Sequence, residues 1–318
     1  MVRTKKASSL LFLLSICSPV LAHTNSVNIY EEGDYRIIES NGIPDHTPGQ
    51  FPNAGNPNTI SEQNNRFRVP LHPQLTGRAQ SYGHNLFGVA LNGVPFDPGT
   101  AEYWNDDRSS GWNYEAMSGK IDLGLDQSHA HVQPGGMYHY HGIPTSALRN
   151  GSLQLIGYAA DGFPIYYDAK ARSSYRIKQG VRLSGPGGYY DGTFVEDFEY
   201  SEGYGNLDEC NWREDTDGYR YYLTDKFPFV PRCLKGEPDA SFAKKGGQGQ
   251  RPGHPPERQG GGESRPPSRG MPPQEAIDAC QGSRRAQPCS FQAPHGIVSG
   301  SCEETQGLMA CTPSGHRA

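Results

Sequence analysis

The chain has 318 residues, a formal charge of −5 at pH 7 and only 34% hydrophobic residues. An acidic balance of this kind excludes nucleic acid as a partner, and past the N-terminus no segment approaches the roughly 18 apolar residues of a membrane span. A core made from such a chain must draw on its 18 tyrosines and 12 phenylalanines as well as on aliphatic side chains.

Residues 1–22 carry Arg3, Lys5 and Lys6, then the apolar run "LLFLLSIC", then "SPVLA", with Val20 and Ala22 at the positions a signal peptidase reads. This is a secretory signal peptide, and it predicts a secreted or periplasmic protein starting near His23. The charge becomes −8 once those three basic residues leave. Cys17 leaves with them, so six cysteines remain: Cys210, Cys233, Cys280, Cys289, Cys302 and Cys311. An even number in an oxidising compartment reads as three disulfides.

From 23 to 235 the chain has few helix-like windows and many turn signals, among them "NGIP", "NGVP", "DPG", "PGG" and "DGFP". Short strands between such turns predict a mostly β domain, an irregular sandwich or barrel. An internal duplication is visible within it, over about 84–148 and 153–234. "GVALNGVPFD" from Gly88 and "GYAADGFPIYYD" from Gly157 share one pattern, and each is followed by a segment that opens Leu-Asp, turns at Gly, alternates tyrosines and closes on Pro. In the second copy His129 and His131 correspond to Asn211 and Arg213, and His139 and His141 to Arg220 and Tyr222. Tyr138 and Tyr140 persist as Tyr219 and Tyr221. The tyrosines therefore read as scaffold and the imidazoles as an addition.

The segment "HAHVQPGGMYHYHGIP" gives the addition a geometry. If Pro134, Gly135 and Gly136 form a three-residue hairpin loop, facing residues have numbers that sum to 270, so His131 faces His139 and His129 faces His141. All four numbers are odd, and successive strand side chains alternate faces, so all four rings are expected on one side. Cβ atoms directly opposed on a hairpin are about 4.5–5.5 Å apart, close enough for imidazole nitrogens to meet at one ion. Asp126, Asp45 and His46 are candidates to complete the shell or orient a ring, and His23 could chelate through its own amino group once exposed.

Residues 236–273 contain Gly, Pro, Arg and Gln with almost no aliphatic side chain, which predicts a disordered linker. The module at 274–313 is too short for a sufficient core, so its four cysteines are expected to staple it. Three pairings are possible, and spacing does not choose among them. Cys210 and Cys233 are left to pair inside the main domain.

Together, "HVQPGGMYHYHGIP", the upstream "NGIPDH" and "ALNGVPFDPG", and the downstream "LDEC" and "FPFVPRC" resemble the YHYH family over most of residues 30–235. The tail resembles a small cysteine-rich piece that accompanies such domains. The resemblance implies export, this segmentation and the histidine site, and it implies no reaction. The leading functional expectation is an exported protein that binds copper or zinc through the four histidines, since all-imidazole ligation suits both ions. One alternative is a copper- or zinc-dependent metalloenzyme, an oxidoreductase or hydrolase. The other is a metal-free surface module with a protein or glycan partner. No nucleophile elbow, phosphate loop or dinucleotide fingerprint is present.

Overall fold

The computed structural model describes residues 24–149, 151–216 and 218–244 and, toward the C-terminus, 276–277, 279–280, 283–293, 296–305 and 308–313. The expected signal peptide and His23 lie outside the described residues. The chain divides into two compact units, Met1–Gln248 and Gly249–Ala318. No described helix is long and apolar enough to cross a membrane.

The regular structure of the first unit is mainly short strands joined by turns and a few single-turn 3-10 helices. β1 (Val27–Glu32), β2 (Tyr35–Ser40) and β3 (Asn65–Pro70) form an antiparallel meander. β4 (Leu75–Ser81) pairs far down the chain, as described below. Then come β5 (Gly88–Ala90), β6 (Pro95–Phe96), β7 (Ala130–Val132), β8 (Tyr138–Tyr140), β9 (Leu153–Ala159) and β10 (Pro164–Asp168). A separate ribbon joins β11 (Tyr175–Ile177) to β12 (Phe198–Tyr200), followed by β13 (Trp212–Asp215), β14 (Gly218–Leu223) and β15 (Cys233–Gly236), the partner of β4. The domain is mostly β, as expected, but no sheet closes into a barrel among the described residues.

The largest sheet has the order β13-β14-β10-β9-β5-β6-β8-β7 and reads the same from either edge. Each half is an outer hairpin joined in parallel to an inner one, and the halves meet through the antiparallel β5·β9 pair. The same residues do the same work in both. Tyr140 Oη accepts a hydrogen bond from Asn92 at 2.9 Å, and Tyr221 Oη donates to Asp161 at 2.6 Å. Asn92 and Asp161 occupy matching places in the two "[ND]-G-x-P" turns. Asp126 and Asp208 each accept two backbone N–H groups of their own turn, and three residues after each comes a residue with positive φ, His129 at 55° and Asn211 at 48°.

One aromatic core joins the sheets. Ile38, Phe67 and Val69 of the meander pack with Phe87, Val89, Phe96, Tyr138, Tyr140, Ile165 and Tyr221, and every one of them is buried. Tyrosine can fill that role because each buried hydroxyl has a partner, which removes the penalty of desolvating it.

The first residues of the expected linker belong to the domain. Residues 236–244 remain on the domain: the Phe242 ring stacks on Phe67 at 4.9 Å, and Lys244 Nζ reaches Asp97 at 2.5 Å. A single phenylalanine in a polar stretch is a weak signal, yet its complete burial is enough to hold the segment. The rest of the expected linker lies outside the described residues. Cys210 and Cys233 form the disulfide of this unit.

In the second unit β16 (Pro288–Ala293), β17 (Gly296–Thr305) and β18 (Leu308–Pro313) form one antiparallel sheet. Cys280–Cys302 and Cys289–Cys311 are its disulfides, which selects one of the three possible pairings. With cores as small as Ala276, Cys280, Cys302, Ala310 and Cys311, covalent staples replace apolar area.

Candidate metal centre

The hairpin that carries the histidines has the expected register. His131 faces His139, Ala130 faces Tyr140 and Val132 faces Tyr138. The loop between them is closed by Gln133 and Met137, and Gly136 has φ of 81°. A Cβ there would lie 1.9 Å from Ser61 Oγ, so both the turn and the packing call for glycine. The free edge of β7 is covered: Asn56 and Asn58 side-chain amides both donate to the Val132 carbonyl, at 3.0 and 2.8 Å.

Both faces of β8 are buried, the tyrosines and the histidines alike. On the histidine side three rings converge. His139 Nε2 and His141 Nε2 are 3.0 Å apart, and His141 Nε2 and His131 Nε2 are 3.1 Å apart. The ring centroids form a nearly equilateral triangle of 4.7, 4.7 and 4.8 Å. Ligand nitrogens at about 2.0–2.1 Å from a tetrahedral ion stand about 3.3 Å from one another. The observed spacing is within a few tenths of an ångström of that.

The outer nitrogens decide the tautomers of two rings. His131 Nδ1 donates to the Leu123 carbonyl at 2.8 Å and His139 Nδ1 to the Met137 carbonyl at 3.2 Å, which leaves the Nε2 lone pairs of both aimed inward. His141 Nδ1 is buried with no hydrogen-bond partner among the described residues. Burial pushes the pKa of His139 and His141 well below the usual histidine value, and the neighbouring imidazoles add to the effect. Burial lowers His131 too, against the pull of the Leu123 carbonyl. Two rings with inward lone pairs, and a third whose Nε2 lies 3.0 and 3.1 Å from theirs, are a donor set that could hold one cation.

His129 does not join them, which corrects the expectation of four ligands. Its left-handed backbone ends the strand one residue early, so although its carbonyl accepts from His141 N–H at 2.8 Å, its ring turns away and meets the Ile143 carbonyl through Nδ1 at 2.8 Å. The Asp126 turn imposes this. Strand alternation, which placed His129 on the shared face, applies only while the backbone stays extended.

Asp126, Asp45 and His46 are on the tyrosine side, where Asp126 and His46 hold phenols and Asp45 holds Asn92. Asp126 accepts from Tyr138 Oη at 2.6 Å and from Gly49 N–H at 2.8 Å. His46 Nε2 lies 2.8 Å from Tyr140 Oη, and Asp45 accepts from Asn92 at 2.7 Å. None of the three reaches the imidazole cluster. The cysteine sulfurs that cluster in the second unit are consumed in disulfides and offer no thiolate.

The matching place in the other half of the sheet is filled differently. Arg213 bonds Asp215 and Asp168 at 2.8 and 3.4 Å and lies over the Tyr222 ring at 4.6 Å, while Arg220 lies over Tyr166 at 4.5 Å. One frame thus carries an ion-pair network at one end and three bare imidazoles at the other. The model of the YHYH protein family matches residues 66–236, just over half of the chain.

The chain belongs to the YHYH family.

The match spans the tyrosine-histidine hairpin and the whole eight-stranded sheet, from β3 to the end of β15. It leaves out 41–64, the segment that supplies His46, Asn56 and Asn58. No curated protein and no solved structure matched the chain.

What the sequence reading missed is the surroundings of the imidazoles. A cleft of about 460 Å³ reaches His131 and His139, and its wall includes Asp97, Gln133 and Lys244. Asp97 read as a turn residue in "FDPG", and Lys244 was assigned to the linker; neither position has a local pattern that could have placed it here.

Proposed function

We propose that this is an exported metal-binding protein in which His131, His139 and His141 hold one divalent transition-metal ion, copper or zinc. The observation that carries the reading is the equilateral packing of three rings around a common point, two of them buried and His131 half-buried. A chain of imidazole hydrogen bonds has no need of that symmetry. It would also bring three nitrogens together with only one proton, on His141, to share among them. All-imidazole ligation suits Cu(II) by affinity and Zn(II) by geometry. Export is supported by the three disulfides, which persist in an oxidising compartment, together with the signal-like residues 1–22.

Titration calorimetry with copper and with zinc tests the reading. One ion should bind per chain, His139→Ala should abolish binding, and His129→Ala should leave stoichiometry and affinity unchanged. Equal binding by the wild type and His139→Ala would sink it.

A further inference from the structure

We propose that the metal ion keeps one coordination position open toward the 460 Å³ cleft, and that this position takes the oxyanion group, carboxylate or phosphate, of a small molecule. The inference rests on the metal reading above and adds the ligand that reading lacks.

Three observations carry it. First, two of the three ligand rings, His131 and His139, line the cleft, so an ion held by them is reached from that side. Pro57, Ala101 and Arg108 on its wall are exposed, whereas Asp97 and His139 are buried, which gives the cleft a mouth and a floor. Its size is that of a small-molecule site. Second, the donors are neutral. Three imidazoles cancel none of the ion's charge, and on the cleft wall the carboxylates of Asp97 and Glu102 are balanced by Arg108 and Lys244. The ion therefore presents an uncompensated double charge in a partly desolvated place, which favours an anion as the fourth ligand. Third, the place that matches the imidazoles in the opposite half of the sheet is filled by side chains. Tyr166 of β10 stands there where Asp97, just past β6, stands here, and Arg220 lies on its ring while Arg213 binds Asp168 and Asp215. The place held by the imidazoles lacks that filling, and the cleft reaches it.

Asp97 is fixed rather than free to enter the metal's shell. Lys244 Nζ lies 2.5 Å away, Gln133 Nε2 donates to it at 3.1 Å, and the Gly99 N–H donates at 3.4 Å. Gln133 and Lys244 line the same cleft as His131 and His139.

The test uses the full-length protein loaded with cobalt(II), whose visible absorption reports coordination number. Metal content is measured first, then sodium azide, acetate and phosphate are titrated separately. The expected result is one cobalt per chain and a saturable spectral change with the anions; the tighter of acetate and phosphate identifies the oxyanion class. Ala101→Phe, which crowds the wall, should weaken anion binding by about tenfold or more, and Arg108→Gln by about two- to fivefold, both with unchanged cobalt content. A cobalt spectrum that no anion moves, or anion affinities identical in all three proteins, would overturn the open position while leaving the metal centre standing. Failure to bind cobalt, copper or zinc at all would overturn the metal centre itself, and this proposal with it.

Discussion

At the residue scale, Tyr138 and His139 show how neighbours in one strand come to serve different ends. Tyr138 is wholly buried and gives its hydroxyl to Asp126. Burial, reinforced by that carboxylate, raises its pKa well above the ordinary tyrosine value, so it stays a neutral donor. Tyr138→Ala should destabilise the protein by about 3–5 kcal/mol, as large-to-small aromatic changes in a core do. Tyr138→Phe should cost only about 1 kcal/mol, since Asp126 keeps its backbone donors. Urea denaturation of both variants checks the ratio, and equal losses would mean that the ring contributes little beyond its hydroxyl. His139 and His141 impose a pH dependence of definite sign on the metal-free protein. Their folded pKa values lie below the value of about 6.5 they recover on unfolding. Below that pH the unfolded chain binds more protons, so stability is fully present above about pH 6.5 and is lost as the pH falls toward the folded values. With chelator present, the urea midpoint should drop between pH 7.5 and 5.5, and drop less in the His139→Ala/His141→Ala double variant. An identical drop in both would assign the effect to carboxylates. Because the rings stay neutral to lower pH than free histidine, metal affinity should also persist below the pH 6.5 threshold of an unperturbed imidazole.

At the element scale the two hairpins, β7·β8 and β13·β14, are one frame with different contents. The frame is set by the Asp-centred turn, the parallel strand pairing and a buried tyrosine whose hydroxyl meets the facing turn. The repeat and its recurring tyrosines were legible, because motif order and residue identity are properties of the sequence; the parallel pairing and the hydroxyl contacts were not. In the second copy the arginines need the carboxylates around them. Arg213→Ala would remove the cation beside Asp168 and leave Asp215 with Arg220, at 3.9 Å. It should destabilise the protein by about 1–3 kcal/mol, the penalty for stranding partly buried charge. Arg213→Ala/Asp215→Ala should recover part of this, and a double-mutant cycle in denaturant measures it. Strict additivity would show that the pair is merely solvated surface. The loss of His129 from the metal face belongs to this scale as well. A strand rule predicts side-chain direction only between the residues where the strand begins and ends, and the Asp126 turn sets that limit at Ala130.

At the scale of the whole molecule, the disulfides respect the division into two units: one lies within Met1–Gln248 and two within Gly249–Ala318. A specific protease site introduced at Gly260 should therefore release two fragments on a non-reducing gel, and the bound metal should travel with the larger. A single band without reductant would mean that a bridge crosses the division. Composition and motif order were sufficient to predict the β class, the repeated frame, the Cys210–Cys233 pair and the facing of His131 and His139, because each follows from local periodicity or from counting. Only the tertiary structure decided which rings meet. The turn at His129 removes one, while Asp126 and His46 go to the phenols and Asp45 to Asn92, because they lie on the other face of the sheet. It also brought Lys244 from far along the chain, across 147 positions, to Asp97 beside the imidazoles. Contacts of that kind depend on the path of the whole backbone and on Phe242 finding a place in the core, and no window of sequence contains them.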